Sequence, residues 1–271
     1  MEEFLFYEKS YAYLVKEAVK QKLSADDLEK YFKAFSDYDI NTEKTTFEAI
    51  FERMVISLQN RNMMPSVIKY SSPKYEKILR FFHPADILAE YADGAALFNA
   101  MKKEGFSVND KHSILFERWC NYILSGAEFM MEFKSKENLK NFFNSFQTNS
   151  LAKAALPSLI AKEIKGFGFA LACDFLKEIG YDYPKPDVHL IDVFKQLYPK
   201  EKLDQYNAYK LILKTAEKID MGNTTCKAYK LDKIIWLCCT HNFYLHQEKS
   251  KKEKSFRKEY LKEIGFDELN A

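Results

Sequence analysis

Apolar residues recur at helical spacing along most of the chain, and short polar stretches separate the helices that this spacing predicts. No segment alternates apolar and polar positions as a half-buried strand would, and no internal repeat is present. We therefore predict an all-α fold, with helices over residues 9–22, 25–36, 47–58, 85–91, 94–104, 109–129, 136–147, 208–219 and 227–241.

The most informative stretch runs from Leu156 to Phe194. Its pattern predicts two helices joined at Gly166-Phe167-Gly168, then a stiff Pro184-Lys185-Pro186 spacer, then a third helix that opens at Asp187. Two glycines one residue apart leave successive backbone amides accessible, and such a turn suits an anion. By pattern alone, Asp187 is typical of a helix N-cap.

Composition describes a well-packed globular protein, because 47% of the 271 residues are hydrophobic and 15% are aromatic. Glycine and proline are scarce, which agrees with helices rather than a turn-rich β architecture. A net charge of +2 neither demonstrates nor excludes a nucleic-acid partner, since a local basic face decides that. The acidic N-terminus predicts no signal peptide, and no run of eighteen apolar residues predicts a membrane span, so we expect a cytoplasmic protein.

Five cysteines occur at irregular spacing, without a Cys-x-x-Cys pair, which argues against a structural zinc site. Cys120 and Cys173 fall within apolar helical patterns, so we expect buried, reduced thiols there. The charged segment 247–262 has two interpretations, a solvated terminal helix or a DNA-facing basic patch.

The central stretch resembles the helix–hairpin–helix DNA glycosylase superfamily. The hairpin of that family has an apolar residue, a variable residue and then Gly-apolar-Gly, which corresponds here to Ile164-Lys165-Gly166-Phe167-Gly168, and Ala172 occupies the small position of the following helix. The catalytic aspartate of the family precedes a small or β-branched residue and a histidine, as in Asp187-Val188-His189.

Upstream segments follow the order of the same family, so that the resemblance covers roughly residues 45–245. Ser57-Leu58-Gln59-Asn60 is similar to the polar end of the family's buried helix, although an ordinary helix C-terminus explains it equally from spacing alone. Gly105-Phe106 followed by Lys111 resembles the segment that enters a long helix.

The resemblance implies a two-lobed helical fold with an interlobe cleft. One lobe would span approximately residues 45–180 and end in the helix–hairpin–helix, and the other would combine approximately 1–44 with 181–271. The implied activity is DNA repair: hydrolysis of the N-glycosidic bond of a flipped damaged base, with Asp187 as the catalytic carboxylate. The implied partner is double-stranded DNA that carries a damaged base, and no protein partner can be inferred.

Other roles follow from the same resemblance. Lys165, Gly166, Phe167 and Gly168 would hold a DNA phosphate. Gln59, Asn60 and Arg61 would fill the gap left by the flipped base. His189 has two interpretations, a helix-capping or phosphate-contacting role and a purely structural one.

Two departures from the family pattern narrow the expected chemistry. Family members with lyase activity carry a lysine two residues after the second hairpin glycine, where this chain has Ala170. We therefore expect a monofunctional, water-using enzyme, although Lys185 lies close to Asp187 in sequence. Iron–sulfur members carry four cysteines in a C-terminal loop, whereas only the adjacent Cys238 and Cys239 follow Trp236, so we expect no cluster and no other cofactor.

Two further functions remain open from the sequence. The same fold can act as a DNA-binding module without catalysis, with the hairpin as a phosphate clamp. Alternatively, the Gly-Phe-Gly turn is only a tight helix connection in an all-α interaction protein. The sequence does not identify the lesion, because a base pocket draws on several helices at once.

Overall fold

The computed structural model describes residues 2–33, 38–61, 73–106, 112–221, 227–243 and 253–266. These residues form helices and their connections without a β-strand, which confirms the all-α prediction. The described helices, numbered in chain order, are α1 (Glu3–Lys20), α2 (Ala25–Lys33), α3 (Phe47–Gln59), α4 (Pro73–Ile78), α5 (Pro84–Glu90), α6 (Gly94–Lys103), α7 (Ser113–Met131), α8 (Lys136–Ser145), α9 (Ser150–Glu163), α10 (Phe169–Glu178), α11 (Val188–Leu197), α12 (Gln205–Lys218), α13 (Lys227–Thr240) and α14 (Glu253–Glu263).

The chain forms two compact units. The central unit is Phe35–Gly180 and holds α3 to α10, whereas the terminal unit combines Met1–Ala34 with Tyr181–Ala271. Among the described helices, none is both long and apolar enough to cross a membrane.

Helix α7 forms the core of the central unit, where it packs against α3, α5 and α6. Trp119 is fully buried, and its indole N–H donates a hydrogen bond to the carbonyl of Val55 at 3.3 Å. Gly126 allows α3 to approach closely, since a Cβ atom at this position would lie 3.0 Å from the sulfur of Met54. Helix α7, which carries residues that contact the Gly166-Phe167-Gly168 hairpin, is therefore itself fixed in the core.

The segment before α3 belongs to the central unit, because its backbone is bonded there. The amide of Ile40 donates to the carbonyl of Ile179 at 3.0 Å, and Lys136 donates to the carbonyl of Thr42 at 2.8 Å. These bonds join residues 40 and 42 to the central unit, which begins at Phe35.

Helix α13 has the corresponding place in the terminal unit, where it packs against α1, α2, α11, α12 and α14. One of its buried polar side chains, Lys230, forms an ion pair with Glu29 at 3.2 Å. Nearby, the hydroxyls of Ser10 on α1 and Tyr260 on α14 share a fully buried hydrogen bond of 2.7 Å.

All four described cysteines, Cys120, Cys173, Cys238 and Cys239, are buried thiols, which confirms the expected burial of the first two. Burial raises the pKa of the Cys238 and Cys120 thiols, so neither is poised as a nucleophile. Several sequence interpretations lie outside the described residues, namely those that concern Lys111, Cys226 and the first part of the charged 247–262 segment.

Candidate functional site

The hairpin lies between α9 and α10, and its first glycine is required by the backbone. Gly166 has a φ of +95°, a conformation that side-chain-bearing residues rarely adopt. A Cβ atom there would lie 2.4 Å from Cγ of Tyr122, so the turn rests directly on that aromatic ring. The structure therefore explains Gly166 entirely from the chain itself.

The second glycine has no such internal explanation. Gly168 has a φ of −110°, and a Cβ atom there would have nothing within 4 Å. It is exposed and forms the N-cap of α10, where no side chain caps the helix. The first amides of a helix lack intrahelical partners and carry the positive end of its dipole. Open space in front of this helix start is a place where an anion can approach the backbone closely.

The hairpin is fixed to α7 by two contacts. Besides the Tyr122 ring, the buried hydroxyl of Ser125 accepts a hydrogen bond from the amide of Lys165 at 3.0 Å. The side chain of Lys165 is itself exposed. Phe167, in contrast, is buried with its ring 5.9 Å from that of Phe175, so its side chain stabilises the core and only its backbone is available to a ligand.

The three polar residues after the apolar part of α3 do not have equal access to solvent. Gln59 ends the helix and is only 7% exposed. Asn60 is the C-cap, and Arg61 follows with its guanidinium 5.2 Å from the centroid of the Tyr122 ring. Arg61 and the hairpin thus share Tyr122, while the burial of Gln59 leaves Asn60 and Arg61 as the accessible part of this segment.

Asp187 lies in the terminal unit as the N-cap of α11, as its sequence pattern predicts. Its Oδ1 atom accepts hydrogen bonds from the amides of His189 at 2.9 Å and Leu190 at 3.1 Å. Within the described residues, its Oδ2 atom accepts no hydrogen bond, and the residue is partly exposed. One oxygen is therefore fixed by the helix, and the other is available for chemistry.

The segment before Asp187 is fixed to α13 by two carboxylates that sequence reasoning missed. Asp182 accepts the amide of Tyr229 at 2.8 Å, and Asp232 accepts the amide of Lys185 at 2.8 Å. The amide of Asp187 then donates to the carbonyl of Lys185 at 2.7 Å. The partners of both carboxylates are 47 residues away in the chain, so no local pattern indicates them.

His189 follows at the start of α11 with its Nδ1 atom buried and without a hydrogen-bond partner in the described part of the chain. A buried, unsatisfied ring nitrogen costs free energy. This cost favours neither of the two interpretations of His189 by itself.

Comparison with known proteins shows a similar sequence. Over 81 residues the chain is 30% identical to the 8-oxoguanine DNA glycosylase/AP lyase of Methanocaldococcus jannaschii, and the match covers 29% of this chain and 35% of that protein. The chain therefore aligns with about a third of the length of that relative. Over the aligned residues, this match to a DNA glycosylase agrees with the resemblance to the helix–hairpin–helix DNA glycosylase superfamily. No protein-family model matches the chain.

Two solved structures from the same organism are also similar to this chain, each with a TM-score of 0.49. One is 8-oxoguanine glycosylase/lyase in complex with a 15mer DNA containing 8-oxoguanine; identity is 18%, over 85% of this chain and 98% of that one. The other is 8-oxoguanine DNA glycosylase, with 17% identity over 88% of this chain and 94% of that one.

The position that the resemblance aligns with the superfamily's lyase lysine is a buried alanine in this structure. Ala170 is 8% exposed in the first turn of α10. Asp174 and Lys177 lie on the same face of α10, one and two turns beyond Ala170. Their side chains form a nearly buried ion pair of 3.2 Å, which the sequence pattern does not single out. The amine of Lys177 is thus engaged with a carboxylate.

We predict that alanine substitutions at the two hairpin glycines lower stability by different amounts. Gly166→Ala should lower the free energy of unfolding by about 2 kcal/mol or more, because it combines a positive φ with a collision against Tyr122. Gly168→Ala should lower it by less than about 1 kcal/mol, since only N-cap preference changes. Urea unfolding of both variants measures the difference, and equal losses would contradict the assignment of Gly168 as internally unconstrained.

Proposed function

We propose that this protein is a DNA glycosylase that removes a damaged base, and that 8-oxoguanine is the first lesion to test. The relative in Methanocaldococcus jannaschii is named for that lesion. The proposal depends most on Asp187, a carboxylate that keeps one oxygen uncommitted while backbone hydrogen bonds fix the other. A plain N-cap needs no more than the fixed oxygen.

Asp187 would act on the sugar. Cleavage of an N-glycosidic bond develops positive charge there, and a fixed carboxylate stabilises that charge most strongly where water is excluded. The same carboxylate can orient a water molecule and accept its proton as the water attacks. Because α11 already holds Oδ1, Oδ2 would perform these steps without a large reorientation of the side chain.

The hairpin would hold the DNA backbone. A phosphate in front of α10 would accept hydrogen bonds from the first amides of the helix, in the space that Gly168 leaves open. The exposed side chain of Lys165 would add a positive charge beside that phosphate. Contacts of this kind position the duplex without reading its sequence.

The damaged base must leave the helix before the bond can be cut, and a side chain must then fill the gap. Asn60 and Arg61 are the candidates, since both are accessible whereas Gln59 is buried. The contact of Arg61 with the Tyr122 ring would hold its guanidinium close to the hairpin that carries the phosphate site.

We also propose that the enzyme uses water and has no lyase activity. A lyase forms a Schiff base between a lysine amine and the sugar. The superfamily position for that lysine is Ala170 here, although the relative is named an AP lyase. We expect neither a metal nor another cofactor to take part.

We predict that Asp187→Asn lowers base release from an 8-oxoguanine duplex by at least about a hundredfold, since charge stabilisation and proton acceptance are both lost. Asparagine can still cap α11, so the fold and the affinity for DNA should be retained. Single-turnover assays measure the rate, and gel shifts measure affinity.

The opposite result has a clear meaning. If the native protein releases no base from oxidised, alkylated or deaminated duplexes, and both proteins bind DNA equally, the glycosylase proposal is wrong. The protein would then be the non-catalytic DNA-binding module that uses only the hairpin.

Gly168→Ala should weaken binding to duplex DNA about tenfold, because its methyl group keeps the phosphate from the helix amides. Lys165→Ala should weaken binding to all sequences alike and reduce the slope of log affinity against log salt by about one. Fluorescence anisotropy at several salt concentrations measures both effects. Native affinity in both variants would exclude the hairpin as the phosphate site.

Borohydride trapping tests the absence of lyase chemistry. The native protein should yield no covalent adduct with an 8-oxoguanine duplex, because it has Ala170 at the position where lyase members of the superfamily carry a lysine. The Methanocaldococcus jannaschii relative, named as an AP lyase, serves as the positive control. An adduct with this chain would show that another lysine, for example Lys185, supplies the amine.

A further inference from the structure

The peptide that leads into Asp187 has no regular secondary structure, yet it is mostly buried. Tyr183 is fully buried, and both prolines of the Pro-Lys-Pro spacer are buried as well. Residues 181–187 lie outside every helix, so no helix supplies acceptors for their amides. The orientation of Asp187 depends on where those acceptors lie.

Asp182 anchors one end of this peptide. Its carboxylate accepts amides of Ala228 at 3.4 Å and Tyr229 at 2.8 Å, which belong to the first turn of α13. This arrangement is a helix cap supplied from a distant part of the chain. It fixes residue 182 against the start of α13, but it leaves the four residues 183–186 before Asp187 to be positioned.

Asp232 anchors the other end, one turn further along α13. It is only 2% exposed, and its Oδ2 atom accepts the amide of Lys185 at 2.8 Å. The carbonyl of Lys185 in turn accepts the amide of Asp187 at 2.7 Å. A continuous series of hydrogen bonds therefore runs from a buried carboxylate in the core of the unit to the backbone of Asp187.

We infer that Asp232 is a positioning residue for Asp187. Asp232 holds the amide of Lys185, and the tight turn from Lys185 to Asp187 sets the backbone direction at Asp187. From there Oδ1 reaches the amides of α11. Without the acceptor at residue 232, the amide of Lys185 would lose its partner, and residues 183–187 would be free to shift. A misplacement of about 1 Å at a reacting group can cost a hundredfold in rate. This inference rests on the proposed glycosylase activity.

Three variants test the role of Asp232. Asp232→Ala removes the acceptor, whereas Asp232→Asn retains an oxygen that can accept from Lys185 while it removes the charge. Ser10→Ala is the matched control, because it leaves the buried hydroxyl of Tyr260 unsatisfied in the same unit without touching the peptide before Asp187. Urea unfolding of each variant establishes that it is folded under assay conditions.

We predict that Asp232→Ala lowers the single-turnover rate of base release about ten- to a hundredfold, with affinity for the lesion duplex within about twofold of native. Asp232→Asn should recover most of the rate, and Ser10→Ala should retain it. Hydrogen exchange followed by mass spectrometry should show faster exchange over residues 181–190 in Asp232→Ala, but not in Ser10→Ala.

Three outcomes would overturn the inference: unchanged exchange over residues 181–190 in Asp232→Ala, a rate loss that Ser10→Ala reproduces, or faster exchange with a native rate. Equal impairment of Asp232→Asn and Asp232→Ala would likewise assign the effect to charge rather than to the hydrogen bond, against the inference. Failure of the proposed function has a different signature, because the native protein would then release no base while the exchange measurement still decides whether Asp232 holds the peptide.

Discussion

A buried peptide without secondary structure must find acceptors for its amides, and this requirement shapes the terminal unit. The amide of Lys185 donates to the carboxylate of Asp232, and the amides of Tyr183 and Asp187 donate to carbonyls within the peptide. Asp182 and Asp232 bond the peptide before Asp187 to two successive turns of α13. Helix α13 also packs against α1, α2, α11, α12 and α14. These bonds therefore hold the backbone of Asp187 in a fixed position relative to the core of its unit. Rigid support of this kind is what a reacting side chain requires.

The two glycines of the hairpin have different structural roles. Gly166 is fixed by its own backbone and by the ring of Tyr122, so it would be required even if the protein bound nothing. Gly168 has a φ that any residue can adopt, and a Cβ atom there would have nothing within 4 Å. No contact within the described structure therefore requires a glycine at this position. The difference separates a glycine that shapes the turn from one that admits a ligand, which motif matching alone cannot do.

Sequence patterns located most of the helices and the two features around which the proposed function is built. Periodic apolar positions mark α7 and α13, and the Gly-Phe-Gly turn and Asp187 lie where local rules place them. Local rules failed where tertiary contacts decide. Tertiary contacts bury Gln59 and Phe167. They also place Tyr122 against both Arg61 and Gly166, and they bring the amide of Lys185 to the carboxylate of Asp232, although these residues are distant in the chain.

The two interpretations of Asp187, helix cap and catalytic carboxylate, are compatible because a carboxylate has two oxygens. Capping uses Oδ1 alone, and it fixes the direction in which Oδ2 points. A side chain that caps a helix loses rotamer freedom on folding rather than at the moment of reaction, so the cost of ordering it is already met in the free protein. Capping is therefore no argument against catalysis at this position, and it supplies part of the preorganisation that such chemistry needs.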